Sequence, residues 1–145
     1  MRAKLLDKQD RVYAVIFDTG ENPIEGLTRF AESENLSAAS FTAIGAFSEA
    51  TLGYFEWESR EYEHIAVREQ TEVLALIGDI AVEAAGRKKL HAHVVLGKRD
   101  GSACGGHLLA AKVRPTLEVI VSATPGHLQR RHDAKTGLAL IRIDQ

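Results

Sequence analysis

The chain has 145 residues, 45% hydrophobic and 26% charged, which is enough apolar material for one core and far from the composition of a disordered chain. Lys and Arg total 18 against 20 Asp and Glu, and the resulting charge of −2 gives no general attraction to a phosphate backbone. The single cysteine, Cys104, excludes an intrachain disulfide framework and fits a reducing compartment.

The first eleven residues, Met1 to Arg11, are charged throughout and unlike a secretory signal. Every long apolar run is interrupted by Gly, Glu or Lys, so no transmembrane segment is expected, and the cytoplasm is the expected location. Val12 to Phe17 reads as a strand that ends in the turn residues Asp18-Thr19-Gly20. Asn22-Pro23-Ile24-Glu25 then supplies an N-cap, Pro at the first helical position and Glu at the third. Ile24, Leu27, Phe30 and Ala31 recur at helical spacing, which predicts one amphipathic helix ending near Asn35.

Beyond Ala38 the pattern becomes β runs punctuated by turn residues. Strands are expected at Phe41 to Ile44, Ala50 to Trp57, Tyr62 to Arg68 and Val73 to Ile77, with a hairpin turn at Glu58-Ser59-Arg60. Gly78-Asp79 reads as a turn, and Glu83 to Lys89 as a loop. Leu90 to Leu96 follows as a strand in which His91 and His93 share one face, while Leu90, Ala92, Val94 and Leu96 share the other. A tight turn at Asp100-Gly101 carries the chain back to Gly105-Gly106-His107. Gly105 and Gly106 read as a structural turn that lets the backbone approach a neighbouring strand or ligand. Leu117 to Val121 alternates as a half-buried strand. The segment Thr124 to Gly137 is polar and basic, and Leu138 to Ile143 is a last strand at a sheet edge. One helix among many strands, without β-α alternation, predicts a single α+β domain over residues 1–145, built on a mostly antiparallel sheet.

Three converging imidazoles are a common cradle for a divalent transition metal, so His91, His93 and His107 form the candidate metal site. Neutral ligands leave the ion's charge uncompensated, and the fourth position is expected to take water or an anion. Glu118 is a candidate to orient a histidine or to act as general base on metal-bound water. Cys104 is a weaker candidate ligand. Arg130 and Arg131, in a cluster with His132 and Lys135, are candidate phosphate contacts, with a solvated tail or interface as the plainer reading. His64, His127 and His132 read as surface residues.

Several blocks come in a distinctive order: Ala50-Thr51-Leu52-Gly53-Tyr54-Phe55, Tyr62-Glu63, Val73 to Gly78, His91-Ala92-His93, Gly105-Gly106-His107-Leu108-Leu109 and Leu117-Glu118-Val119. Together they resemble the plants-and-prokaryotes conserved (PPC) domain over about residues 12–122, leaving 123–145 as a C-terminal extension. The resemblance implies the fold, a homotrimer, and a metal, zinc above all, at the three histidines. It also implies the description “putative DNA-binding protein” given to stand-alone prokaryotic members. The Arg-Gly-Arg-Pro core with which plant members contact DNA is missing. Glu69-Gln70-Thr71-Glu72-Val73-Leu74 departs from the plant recruitment segment in its first three residues. Three functions follow: a trimeric metal-binding DNA-binding domain; a hydrolytic or lyase-like metal enzyme taking a small anionic substrate at a trimer-interface pocket; or a metal-stabilised structural or sensory trimer.

Overall fold

The computed structural model describes residues 1–124 and 128–143. In chain order the elements are β1 (Arg2–Asp7), β2 (Val12–Asp18), α1 (Pro23–Ser33), β3 (Ala39–Glu56), β4 (Glu61–Val67), β5 (Thr71–Glu83), β6 (Lys88–Gly97), β7 (Ala103–Ala123), β8 (Gln129–His132) and β9 (Ala139–Arg142). One sheet runs β1-β2-β7-β3-β5-β8-β9; β4 adds to β3, and β6 bridges β5 and β7. The pairings β3–β5, β5–β6, β6–β7 and β7–β3 therefore close a ring. All pairings are antiparallel except that of β5 with β8.

The helix forms where the N-terminal signals place it. The Asn22 side chain accepts from Ile24 N–H at 3.0 Å and donates to Glu25 Oε1 at 3.0 Å. At the other end Asn35 adopts φ 49°, and Leu36 N–H and Asn35 N–H donate to the Ala31 and Glu32 carbonyls, a Schellman ending that satisfies the last turn. Leu27, Phe30 and Ala31 are buried, and a Cβ on Gly26 would stand 2.2 Å from the Phe17 ring. That glycine lets the helix lie close against the sheet.

Several strands are longer than the sequence pattern suggests. The breaks expected around Gly45 and Gly78 lie inside continuous strands. At Gly45 the register of β3 shifts against β5 and β7, and its φ of 151° lets the chain bend without leaving the sheet. β1 escaped the sequence reading because all six of its residues are exposed and show no alternation. Leu90, Ala92, Val94 and Leu96 are buried as expected, so the histidine face of β6 is the outer one. Among the described residues no helix is long and apolar enough to cross a membrane.

The tightest backbone approach beside that face is at Gly78, where a Cβ would lie 2.3 Å from the His91 carbonyl oxygen and 2.4 Å from the Phe41 ring. Neither neighbour has room to give. Gly78→Ala is expected to destabilise the protein by about 2 kcal/mol through overpacking, read as a lower urea midpoint with an unchanged slope. An unchanged midpoint would show that β5 and β6 can separate freely.

Candidate metal centre

The β6–β7 hairpin builds the site by register. Gly101, at φ 84°, completes the turn, Gly101 N–H donating to the Lys98 carbonyl, and Asp100 Oδ1 accepts from Ser102 N–H. His93 then pairs directly with His107 across the two strands. Side chains of paired residues share a face, and His91, two residues before His93, shares it too. The ligating nitrogens available on the three rings lie within 4.8 Å of one another, and His91 Nε2 and His93 Nε2 are 3.2 Å apart.

Gly105 and Gly106 stand within β7 rather than at a turn. Their part is close approach: a Cβ on Gly105 would meet the Val94 carbonyl at 2.6 Å, and one on Gly106 the Gly53 carbonyl at 2.9 Å. Gly53 has the complementary role in β3. With no side chain there, Tyr62 lies against His107, ring centroids 4.9 Å apart.

The electrostatics suit neutral imidazoles. Burial, then coupling to the His91 and His93 rings and repulsion from Lys89 and Arg130, push His107 down from 6.5 to about 4. Burial and His91 likewise lower His93. His107 Nδ1 is buried without a hydrogen-bond partner among the described residues, a polar atom left for something other than protein to satisfy. A soft divalent cation fits that donor set.

The carboxylate behind the site is Asp79, which the sequence pattern assigned to a turn. It sits opposite His91 in the β5–β6 register, with Oδ2 3.7 Å from His91 Nδ1. Arg130 holds it by a two-pronged pair at 2.7 and 2.9 Å and also donates to the Ala139 carbonyl at 2.9 Å. Burial raises the Asp79 pKa, but the nearby His91 ring and the hydrogen bonds and charge of Arg130 outweigh it, and the net shift is downward. The carboxylate thus faces a candidate ligand imidazole from behind, an arrangement that in metal sites commonly fixes ring orientation.

The other candidates fall elsewhere. Glu118 is exposed on β7 in a shallow groove with Ile44, Glu72 and Leu74, away from the histidines. Its register partners are Ile16 and Ile44, so within the chain it does not face the histidines. Cys104 packs against the core, on the strand face opposite to His107. Arg130 is only 7% exposed and engaged with Asp79, which removes it as a phosphate contact. Arg131 is exposed and donates to Gln129 Oε1. His64 and His132 are exposed, and His127 lies outside the described residues.

The family model described as the Plants and Prokaryotes Conserved (PCC) domain matches residues 6–125. The chain belongs to the plants and prokaryotes conserved domain family. A solved PPC protein from Pyrococcus horikoshii is 29% identical, with 93% of each chain covered and a TM-score of 0.85. A protein from Archaeoglobus fulgidus, described as metal-containing, is 31% identical over 91% of this chain and 93% of that one, with a TM-score of 0.83. One from Bacteroides thetaiotaomicron, called a “putative DNA-binding protein”, is 28% identical over 90% and 91%, with a TM-score of 0.86. No curated protein matches the chain.

Two outcomes test the PPC site as described. Arg130→Ala leaves the partly buried Asp79 carboxylate unpaired and is expected to cost about 3 kcal/mol in urea unfolding, whereas Asp79→Leu with Arg130→Leu recovers much of that loss. In chelator-treated protein, the unfolded chain takes up the His107 proton below 6.5, while the folded chain does so only near 4. Stability is therefore expected to fall as pH drops from 6.5 to 4, and His107→Asn to flatten that slope across a pH series of urea midpoints.

Proposed function

We propose that this PPC domain is a three-histidine metal protein, with His91, His93 and His107 as ligands, zinc as the metal, and a remaining position open to a small anion. The observation that carries this reading is the convergence of three donor nitrogens within 4.8 Å. The partnerless Nδ1 of His107 and the carboxylate facing His91 support it. Zinc matches three imidazoles and a variable fourth ligand, and when bound it would act as a Lewis acid or lower the pKa of a bound water. The described residues supply the three imidazoles and a backing carboxylate that is itself held by Arg130; the fourth place is left to solvent or ligand.

The same reading includes a homotrimer. Ile120, Thr42, Ile77 and His93 are consecutive register partners across β7, β3, β5 and β6, and all four are exposed. Ile44 at 61% exposure, Ile77 at 57% and Leu74 at 55% make that outer face apolar, which favours covering it with another copy. The histidines lie at its margin, so a partner copy would border the site.

DNA binding is the weaker reading for this chain. Its formal charge is −2, and Arg130 is committed to Asp79. Elemental analysis of untagged protein should find about one zinc per chain, with His91→Ala and His107→Ala each losing most of it while remaining folded. Sedimentation should give three chains per particle, and mixed-sequence duplex should not be retained in a low-salt gel shift. Absence of metal from wild-type protein would overturn the metal reading, and retention of duplex would restore the nucleic-acid one.

A further inference from the structure

A cavity of about 410 Å³ opens beside the histidines, a volume in the range of small-molecule sites. Its floor is β6 and β7, with His91, His107 and Leu109; its far wall is the β8–β9 hairpin, with Leu138, Ala139 and Leu140. That wall lies beyond the family match, which ends at residue 125. It is not a loose tail. Arg130 bonds the Ala139 carbonyl and the Asp79 carboxylate together, and β8 pairs with the end of β5 through Val82↔Gln129 and Glu83↔Arg130.

The lining has two chemistries. On one side are His91, His107, Arg130 and Lys89, and Lys89 has no ion-pair partner among the described residues. Glu83 also borders the cavity, but Arg87 holds it at 2.9 Å. Among the described residues, two buried polar atoms of the lining lack partners, His107 Nδ1 and Arg130 Nε. The other side is Ile24, Leu109, Leu138 and Leu140. Arg130 is neutralised by Asp79 and the His107 ring is held uncharged, so the positive end is Lys89 together with a metal at the histidines; joined to an aliphatic end, it selects an anion that carries an apolar body.

We propose that the β8–β9 hairpin completes a binding site for a small aliphatic carboxylate, with the acid group toward Lys89 and the histidine centre and the hydrocarbon against Leu138 and Leu140. The acid end rests in part on the metal reading above, whereas the hydrocarbon end rests on the hairpin alone. Arg130 is a positioning residue here: it holds the wall against β5.

The test is calorimetric titration of the purified full chain with acetate, butyrate and hexanoate, zinc-saturated and chelator-treated, with hexylamine as the charge control. Burial of a methylene strengthens binding roughly fourfold, so hexanoate is expected to bind at least tenfold more tightly than acetate, and hexylamine not measurably. Leu140→Asp should weaken hexanoate binding tenfold or more, and Lys89→Gln should weaken all three acids. Both positions are exposed, which favours folded variants. If the chain-length gradient persists after chelation and untagged protein as purified holds no zinc, the metal reading fails and the pocket stands. A flat series, absence of binding by any of the acids, or equal binding of hexylamine overturns the proposal.

Discussion

The register between β5, β6 and β7 is the constraint from which the site follows. His93 meets His107, and Asp79 meets His91, only because these strands are locked in phase. A slip by one residue would turn His91 and His93 into the core and expose Ala92 and Val94. Alternation makes that slip costly, since Leu90, Ala92, Val94 and Leu96 are buried on the inner face. The glycines reinforce the phase sterically, because Gly78, Gly105 and Gly106 stand where a Cβ would collide with a neighbouring backbone. Packing of the interior and placement of the imidazoles are thus one requirement expressed on two faces of the same strands.

Charge is arranged around that frame in a chain. Arg130 neutralises Asp79, Asp79 backs His91, and burial together with nearby positive charge keeps His107 neutral. Removing a single link strands a buried charge, whereas a wholly apolar substitute for the pair is tolerable. The pair therefore serves arrangement more than stability. It connects a segment outside the family match to the histidines.

Much of this was legible in the sequence because local rules govern it. Asn22, Pro23 and Glu25 announce the helix start, and alternation in Leu90 to Leu96 separates core from histidine face. The Asp100-Gly101 turn brings His107 back to the pair. What escaped is non-local. Asp79 and Arg130 are 51 residues apart, and nothing near either one signals the other. Gly45, Gly78, Gly105 and Gly106 resemble strand breaks by composition, yet they sit inside strands because the neighbouring backbones come too close for a side chain. Glu118 is the carboxylate of an alternating strand, but that part of β7 pairs with β2 and β3 rather than with β6.

The parallel pairing of β8 with β5 has a bearing on the order in which the molecule comes apart. The ring strands share long antiparallel ladders, whereas the hairpin joins β5 at its last two positions and is otherwise tied by the Arg130–Asp79 pair and a bond from Arg60 to the Ala134 carbonyl. Ladder length sets how much structure must open together, so the hairpin belongs to the low-energy end of the opening spectrum and the ring to the high end. The fold thus joins a rigid floor to a wall with its own, smaller opening free energy. Exchange of a molecule held between them need not wait for the core to unfold.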